Sequence, residues 1–269
     1  MWVSYSLWSQ FQPQLGKEEY HCHHKRGFLR ARKKEPEVNL LSQQDTTPQK
    51  IGKLAQKAVY YLYHNPESLN QEGLNYVAQK VLNLDQEVVE VQHRLQWILK
   101  QYLHYPFLQN KSVLTLTSGE ENNFSEVILK DGNRQAKLLF AYDCILNQEN
   151  GGIHILDFKT GKGQFIPDLR QSLVYLLAGQ KLYPNQTVTA SFYHLELAQE
   201  SEIYSATDEE LNLVAKNLID IAQKNQQQIN AYRRSPDKFN QIFPASPGKV
   251  CNYCPFTSIC NYYDPLFSE

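Results

Sequence analysis

Apolar residues recur along this chain first at helical spacing and then at strand spacing, and the change divides it into segments. Across residues 52–63, Leu54, Ala55, Ala58, Val59 and Leu62 share one helical face. A second helical pattern covers residues 69–82, and a third covers 86–103. Strand-like runs follow at 112–117, 125–129 and 136–143, then at 153–158. Residues 168–182 read as an amphipathic helix and 187–195 as a half-buried strand. Residues 207–232 read as a long polar helix, capped by Thr207 with Glu210 three positions on. Upstream, residues 3–12 suit a short helix, and 35–50, with two prolines, read as a loop or linker. Helices, then strands, then helix and strand describe an α/β core with helical additions at both ends.

The centre of this pattern is a hairpin at 140–161. Apolar runs at 138–146 and 153–158 flank a polar turn at 147–152, whose Asn and Gly residues supply the positive φ a tight connection needs. Asp143 is expected on the first strand, and Asp157 and Lys159 on the second. Residues two apart share a strand face, so Asp157 and Lys159 project together while Phe158 turns into packing. Charged groups are seldom buried unless paired or bound to a metal. A surface ion pair would account for the Asp-Phe-Lys triplet alone. Gln171 and Tyr175, at i and i+4 of the next helix, add two polar groups on one face. Phosphodiester hydrolysis needs a hard cation held by carboxylates, and positive charge near the attacked phosphoryl group. Asp143 and Asp157 can supply the ligands, with the Phe158 carbonyl completing the set and Lys159 orienting water and phosphate. Glu126 is a further acid, either ligand or structural partner.

Charge and cysteine content refine this picture. The net charge of −1 over 269 residues predicts no bulk attraction to polyanions, so any nucleic-acid surface is local. The one basic run, Lys25, Arg26, Arg30, Arg32, Lys33 and Lys34, is either a solvated helical face or a phosphate contact. No apolar run approaches the roughly 18 residues of a membrane span, and no export signal is evident, so a cytoplasmic protein is expected. Five cysteines in such a chain favour metal chemistry over disulfides. Cys251, Cys254 and Cys260 form a C-x₂-C-x₅-C run, with Cys22 far upstream. Thiolates at this spacing suit zinc or an iron–sulfur cluster, and His21, His23 or His24 could stand in for Cys22. Cys144 is expected to be a small buried hydrophobe.

Asp143, the Asp157-Phe158-Lys159-Thr160-Gly161 run and Gln171-x-x-x-Tyr175 together resemble the PD-(D/E)XK nuclease superfamily in its RecB-like branch. The resemblance implies a restriction-endonuclease-like core, a central mixed four-stranded sheet flanked by helices, over residues 51–195. It implies a site built from Asp143, Asp157, Lys159, Gln171 and Tyr175, with Mg²⁺ or Mn²⁺ and a DNA substrate. The cysteine pattern is similar to the staple of CRISPR-associated single-strand exonucleases and helicase–nuclease complexes. There, residues matching Cys22, Cys251, Cys254 and Cys260 hold a [4Fe–4S] cluster that closes the two ends, here 1–50 and 196–269, onto the core as one domain. The implied activity is an exonuclease or flap nuclease on single-stranded DNA, with a helicase or integrase as partner. Lys25, Arg26, Arg30 and Arg32 would guide the DNA backbone. One departure is plain: Gln56 stands where this branch carries a histidine on its first core helix. Gln56 and Glu126 are further candidate metal ligands, but a neutral amide is a weaker ligand and cannot titrate. The alternative is a catalytically weak nucleic-acid-binding or scaffolding module that retains the fold.

Overall fold

The computed structural model describes residues 1–119, 124–149, 151–161 and 168–264. In chain order its principal elements are β1 (Trp2–Val3), α1 (Tyr5–Phe11), α2 (His23–Arg30), α3 (Pro36–Ser42), α4 (Thr47–His64) and α5 (Val89–His104). Then come β2 (Val113–Leu116), β3 (Ser125–Asp131), β4 (Arg134–Phe140), β5 (Cys144–Asn147) and β6 (Ile153–Lys159). Last are α6 (Leu169–Leu182), β7 (Val188–His194), β8 (Gln199–Glu200) and α7 (Asp208–Arg234). None of the described helices is long and apolar enough to cross a membrane.

Three expectations are corrected by the backbone. Residues 35–50 are mostly helical, because both prolines sit in first turns: Pro36 opens α3 and Pro48 lies at the start of α4. A first-turn N–H has no intrahelical acceptor, so proline loses nothing there and pre-sets φ. The Thr46 N–H adds a bond to Gln49 Oε1 at 2.9 Å, fixing the start of α4. The helix expected over 69–82 is instead two short turns, Ser68–Gln71 and Gly73–Tyr76, followed by a π turn, Val77–Val81. Gly73, at φ +80°, is the break. The run at 136–143 is not one strand either. Its first part, β4, belongs to a sheet ordered β1-β4-β3, while β5 belongs to another, and residues 141–143 carry the chain between them.

Among the described residues the second sheet is ordered β2-β5-β6-β7-β8, so it has five strands where four were expected, the extra one being the two-residue β8. β5 and β6 are antiparallel with Cys144 opposite Leu156, closed by a turn in which Gly151 takes φ +80°. β6 and β7 are parallel, with Asp157 opposite Phe192 and Lys159 opposite His194. Their link runs through α6, as a parallel pair requires. This mixed sheet with helices is consistent with a PD-(D/E)XK-like α/β fold.

The chain divides into two compact units. One comprises residues 46–127 and 139–214 and holds the five-stranded sheet. Its core joins Ile51, Ala55, Ala58, Val59 and Leu62 of α4 to Val91, Leu95, Ile98 and Leu99 of α5. Both rows pack on Cys144, Leu146, Leu156 and Tyr193 of the sheet. The even-numbered residues of β6 therefore face α4 and α5. The odd-numbered ones face the other way: a side chain at Gly179 of α6 would meet Ile155. The other unit comprises 1–45, 128–138 and 215–269, with a core of Phe28, Val38, Phe239, Phe243 and Phe256.

At the start of β6 a polar chain crosses three strands. His154 Nε2 lies 2.8 Å from Ser191 Oγ, which donates to Glu200 Oε1 at 2.6 Å, and Lys111 pairs with the same carboxylate at 3.3 Å. Hydrogen bonding from His154, with Ser191 and Lys111 in support, holds the Glu200 carboxyl down at about 2, against 4.5 ordinarily. A carboxyl depressed in the folded state stabilises it above the unfolded value, and that contribution is lost as pH falls through the folded one. Glu200→Gln should therefore show its largest stability deficit above about pH 4.5, shrinking as pH drops toward 2. Urea unfolding across pH 2–6 measures this; a deficit constant with pH would show that the carboxylate charge is not its source.

Candidate active site

β6 and α6 present their polar groups to each other. Asp157, 5% exposed, accepts from the Tyr175 hydroxyl at Oδ1 and from Gln171 Nε2 at 3.3 Å. Gln171 also donates to Tyr175 Oη at 2.9 Å and accepts from Lys159 Nζ at 2.8 Å. Lys159 closes the ring as an ion pair 2.5 Å from Asp157 Oδ2, its ammonium 5.1 Å from the Phe192 ring centre. Burial, and then the Asp157 and Asp143 carboxylates, hold the Tyr175 phenol well above its usual range. Tyr175 is thus a neutral donor, which lets it share a proton with a carboxylate.

Asp143 is placed by the change of sheet and not by strand alternation. It stands just before β5, where Oδ2 accepts the Phe158 N–H at 2.6 Å. That bond ties the first acid to the middle of the Asp-Phe-Lys triplet. Burial first, then the Asp157 charge, pushes the Asp143 carboxyl up to about 8, although the Phe158 N–H and Lys159 act against this. The neighbouring Asp157 charge thus disfavours the charged form of Asp143. A divalent cation beside it would act in the opposite direction. Asp157 Oδ2 is buried and faces the Lys159 ammonium. Hard carboxylate oxygen donors of this kind fit Mg²⁺ or Mn²⁺. They supply only two carboxylates, and among the described residues no group of three or more His, Cys, Asp or Glu is arranged to hold a metal.

The other expected residues lie elsewhere. Glu126 is exposed on β3, which is not in the sheet carrying Asp157. Gln56 donates to Thr117 Oγ1 at 2.7 Å. The basic run does not form the expected free surface. Arg26 is 1% exposed, bonded to Gln228 Oε1 at 2.6 Å with its guanidinium 3.8 Å from the Phe11 ring centre, and burial lowers it to about 10. Arg30 donates to Gln10, Arg32 pairs with Glu35, and Lys25 donates to the Tyr253 carbonyl; Lys33 and Lys34 remain exposed. The run works largely as internal glue, its long stems laid on aromatic rings.

Cys22, Cys251, Cys254 and Cys260 line a single pocket with His24, Lys25 and Phe28, and none is in a disulfide. Burial raises the Cys254 thiol, and Cys22 and Cys260 push it the same way. His21, His23 and His24 are held by Gln10, Arg26 and Phe243 respectively. Cys144 is fully buried in the core of the sheet-bearing unit.

A family model described as the PD-(D/E)XK nuclease superfamily matches residues 23–261. The chain belongs to the PD-(D/E)XK nuclease superfamily. The match spans Asp143, Asp157, Lys159, Gln171 and Tyr175 together with Cys251, Cys254 and Cys260, and begins one residue after Cys22. No curated protein matches the chain. Among solved structures, the crystal structure of SSO0001 is similar at 15% identity and a TM-score of 0.38, over 89% of this chain and 94% of that one, a likeness that carries no argument here.

Sequence pattern misses the site's supports. Glu196, 8% exposed, pairs with Arg94 and accepts the Gly161 N–H at 2.9 Å, anchoring the backbone just after Lys159. Arg94 and Glu196 are 102 positions apart, so no local spacing announces them. Gly179 follows Gln171 and Tyr175 on the same line of α6, at i+8 and i+4. A Cβ there would come 2.6 Å from Val188 Cγ1 and 3.1 Å from Ile155 Cδ1. Its absence lets α6 approach closely enough for Tyr175 to reach Asp157. Gly179→Ala should cost about 1–3 kcal/mol in urea unfolding and lift the hydroxyl off the carboxylate; unchanged stability would show that the helix moves freely.

Proposed function

We propose that this superfamily member is a RecB-like DNA nuclease using Mg²⁺ or Mn²⁺, acting as an exonuclease or flap nuclease on single-stranded DNA. One observation carries the reading: Asp157 and Lys159 share a face of β6, locked to Gln171 and Tyr175, with Asp143 bonded to the residue between them. A plain surface ion pair needs neither the burial nor the four-residue ring.

Asp143 and Asp157 would hold the cation, with the Phe158 carbonyl as a third ligand. When bound, the cation supplies Lewis-acid activation of water and of the phosphoryl group. Tyr175 and Gln171 hold Asp157 in one orientation, so no rearrangement is needed when charge builds up. Lys159, tethered by Gln171 as well as by Asp157, keeps a positive charge at the site and faces the developing oxyanion. Glu196 holds the chain just beyond Lys159, which keeps the ammonium's stem in place.

Cys22, Cys251, Cys254 and Cys260 are assigned to a structural [4Fe–4S] cluster. The reading is supported by four thiols lining one pocket, drawn from both ends of the chain and unpaired by disulfides. Zinc on the same thiolates is the competing metal. The preference for single strands rests on the likeness of this cysteine spacing to that of single-strand exonucleases.

Purified under anaerobic conditions, the protein should degrade labelled single-stranded DNA with Mg²⁺ or Mn²⁺ and contain iron and acid-labile sulfide. Asp157→Ala and Lys159→Ala should each lower the rate by a factor of about 100 or more. Equal cleavage by wild type and both variants would overturn the assignment. Binding without cleavage in any divalent metal would leave a nucleic-acid-binding module, and one zinc per chain without iron would replace the cluster.

A further inference from the structure

We infer that Gln56 is a positioning residue: its carboxamide braces the backbone that presents Asp143. It does not ligate the cation. The inference rests on the nuclease reading of the same site and adds a residue that acts through Thr117.

Residues 141–143 carry the chain from one sheet to the other, outside any strand. A carboxylate on such a connection needs its backbone fixed by other bonds. Thr117, just past β2, supplies them. Its N–H donates to the Asp143 carbonyl at 2.9 Å, and its Oγ1 lies 3.1 Å from the Tyr142 carbonyl and 3.3 Å from that of Asp143. A hydroxyl has one proton, and here it goes to a carbonyl. Toward Gln56 it can therefore only accept, which it does from Nε2 at 2.7 Å. The donor end of the amide is thus committed to Thr117.

The acceptor end is covered. Gly119 takes φ +75°, and a Cβ there would stand 2.6 Å from Gln56 Oε1 and 2.9 Å from Cδ. The chain after β2 thus passes close beside the acceptor end of the carboxamide. One helical turn earlier, a side chain at Gly52 would first meet Thr160 Oγ1, at 4.0 Å, the residue after Lys159. The start of α4 therefore runs beside both halves of the hairpin that carry the acids. Gln56 reaches Asp143 through one hydroxyl, at the position where a histidine would have offered a ring nitrogen.

The test is Mn²⁺ binding, followed by paramagnetic resonance or calorimetry, alongside DNA cleavage. The variants are Gln56→Ala, Thr117→Val, Thr117→Ser and the double variant Gln56→Ala/Thr117→Val. Losing one hydrogen bond of the brace should weaken Mn²⁺ binding by about tenfold in either single variant. The double variant should be no worse than the worse single, because both break one chain of contacts. Thr117→Ser restores the hydroxyl and should restore binding, which a simple loss of fold would not allow; thermal melting within a few degrees of wild type confirms that the variants fold. Wild-type binding in Thr117→Val alongside loss in Gln56→Ala would make Gln56 a ligand and overturn the inference, as would strictly additive losses. A wild type that binds Mn²⁺ but cleaves no DNA defeats the nuclease reading alone, and the binding comparison still decides the brace. A wild type that binds no Mn²⁺ defeats both.

Discussion

Everything at this site follows from putting a carboxylate inside a protein. Asp157 lies on the inner face of β6, where an isolated charge would be costly by several kcal/mol. The chain compensates with an ammonium, a phenol and an amide, all reaching the same group. Each has a further constraint. Lys159 must share its strand face, so it comes two residues later. Gln171 and Tyr175 must share a helix face, so they are four apart. Tyr175 reaches the carboxylate only because Gly179 lets the helix approach. The motif spacing is therefore the imprint of one buried charge and of what its burial demands.

Asp143 shows the other half of the design. A strand residue would have its direction set by the pleat, but Asp143 lies where the chain leaves one sheet for another. Its position is set instead by the Phe158 N–H from one side and by Thr117 from the other. The two acids are close enough that one is pushed up to about 8 by burial and by its neighbour. Polar support thus fixes the geometry of both acids, while the Lys159 ammonium pairs directly with only one of them, Asp157.

How much of this was legible in the sequence depended on distance along the chain. The Asp-Phe-Lys triplet, the Gln-x-x-x-Tyr pair and the Thr207–Glu210 cap are local, and the periodicities of strand and helix place them. The hairpin turn was equally plain, since Gly151 takes the positive φ its composition suggested. The split between β4 and β5 was not legible, because a continuous apolar run looks the same whether it stays in one sheet or passes between two. The prolines at 36 and 48 are ambiguous for a related reason: proline breaks a helix interior but starts a helix, and only the capping partners decide which. Thr117 and Glu196 gave no signal at all. Their partners lie far away in sequence, and their residue types are common in loops.

The basic run carries the sharpest lesson about charge. A string of arginines on a short helix suggests a surface for phosphates, yet Arg26 is among the most buried side chains in its unit. A guanidinium is planar, weakly hydrated and able to lie on aromatic rings, so it can enter a core that an ammonium could not. Phe11 and Phe243 lie on the Arg26 cation, and Gln228 takes one of its donors. The same α2 begins at Cys22 and lines the cysteine pocket with His24 and Phe28. Its positive charge is bound up with holding the two ends of the chain together around that pocket, which is why counting charges along the sequence pointed outward when the side chains point in.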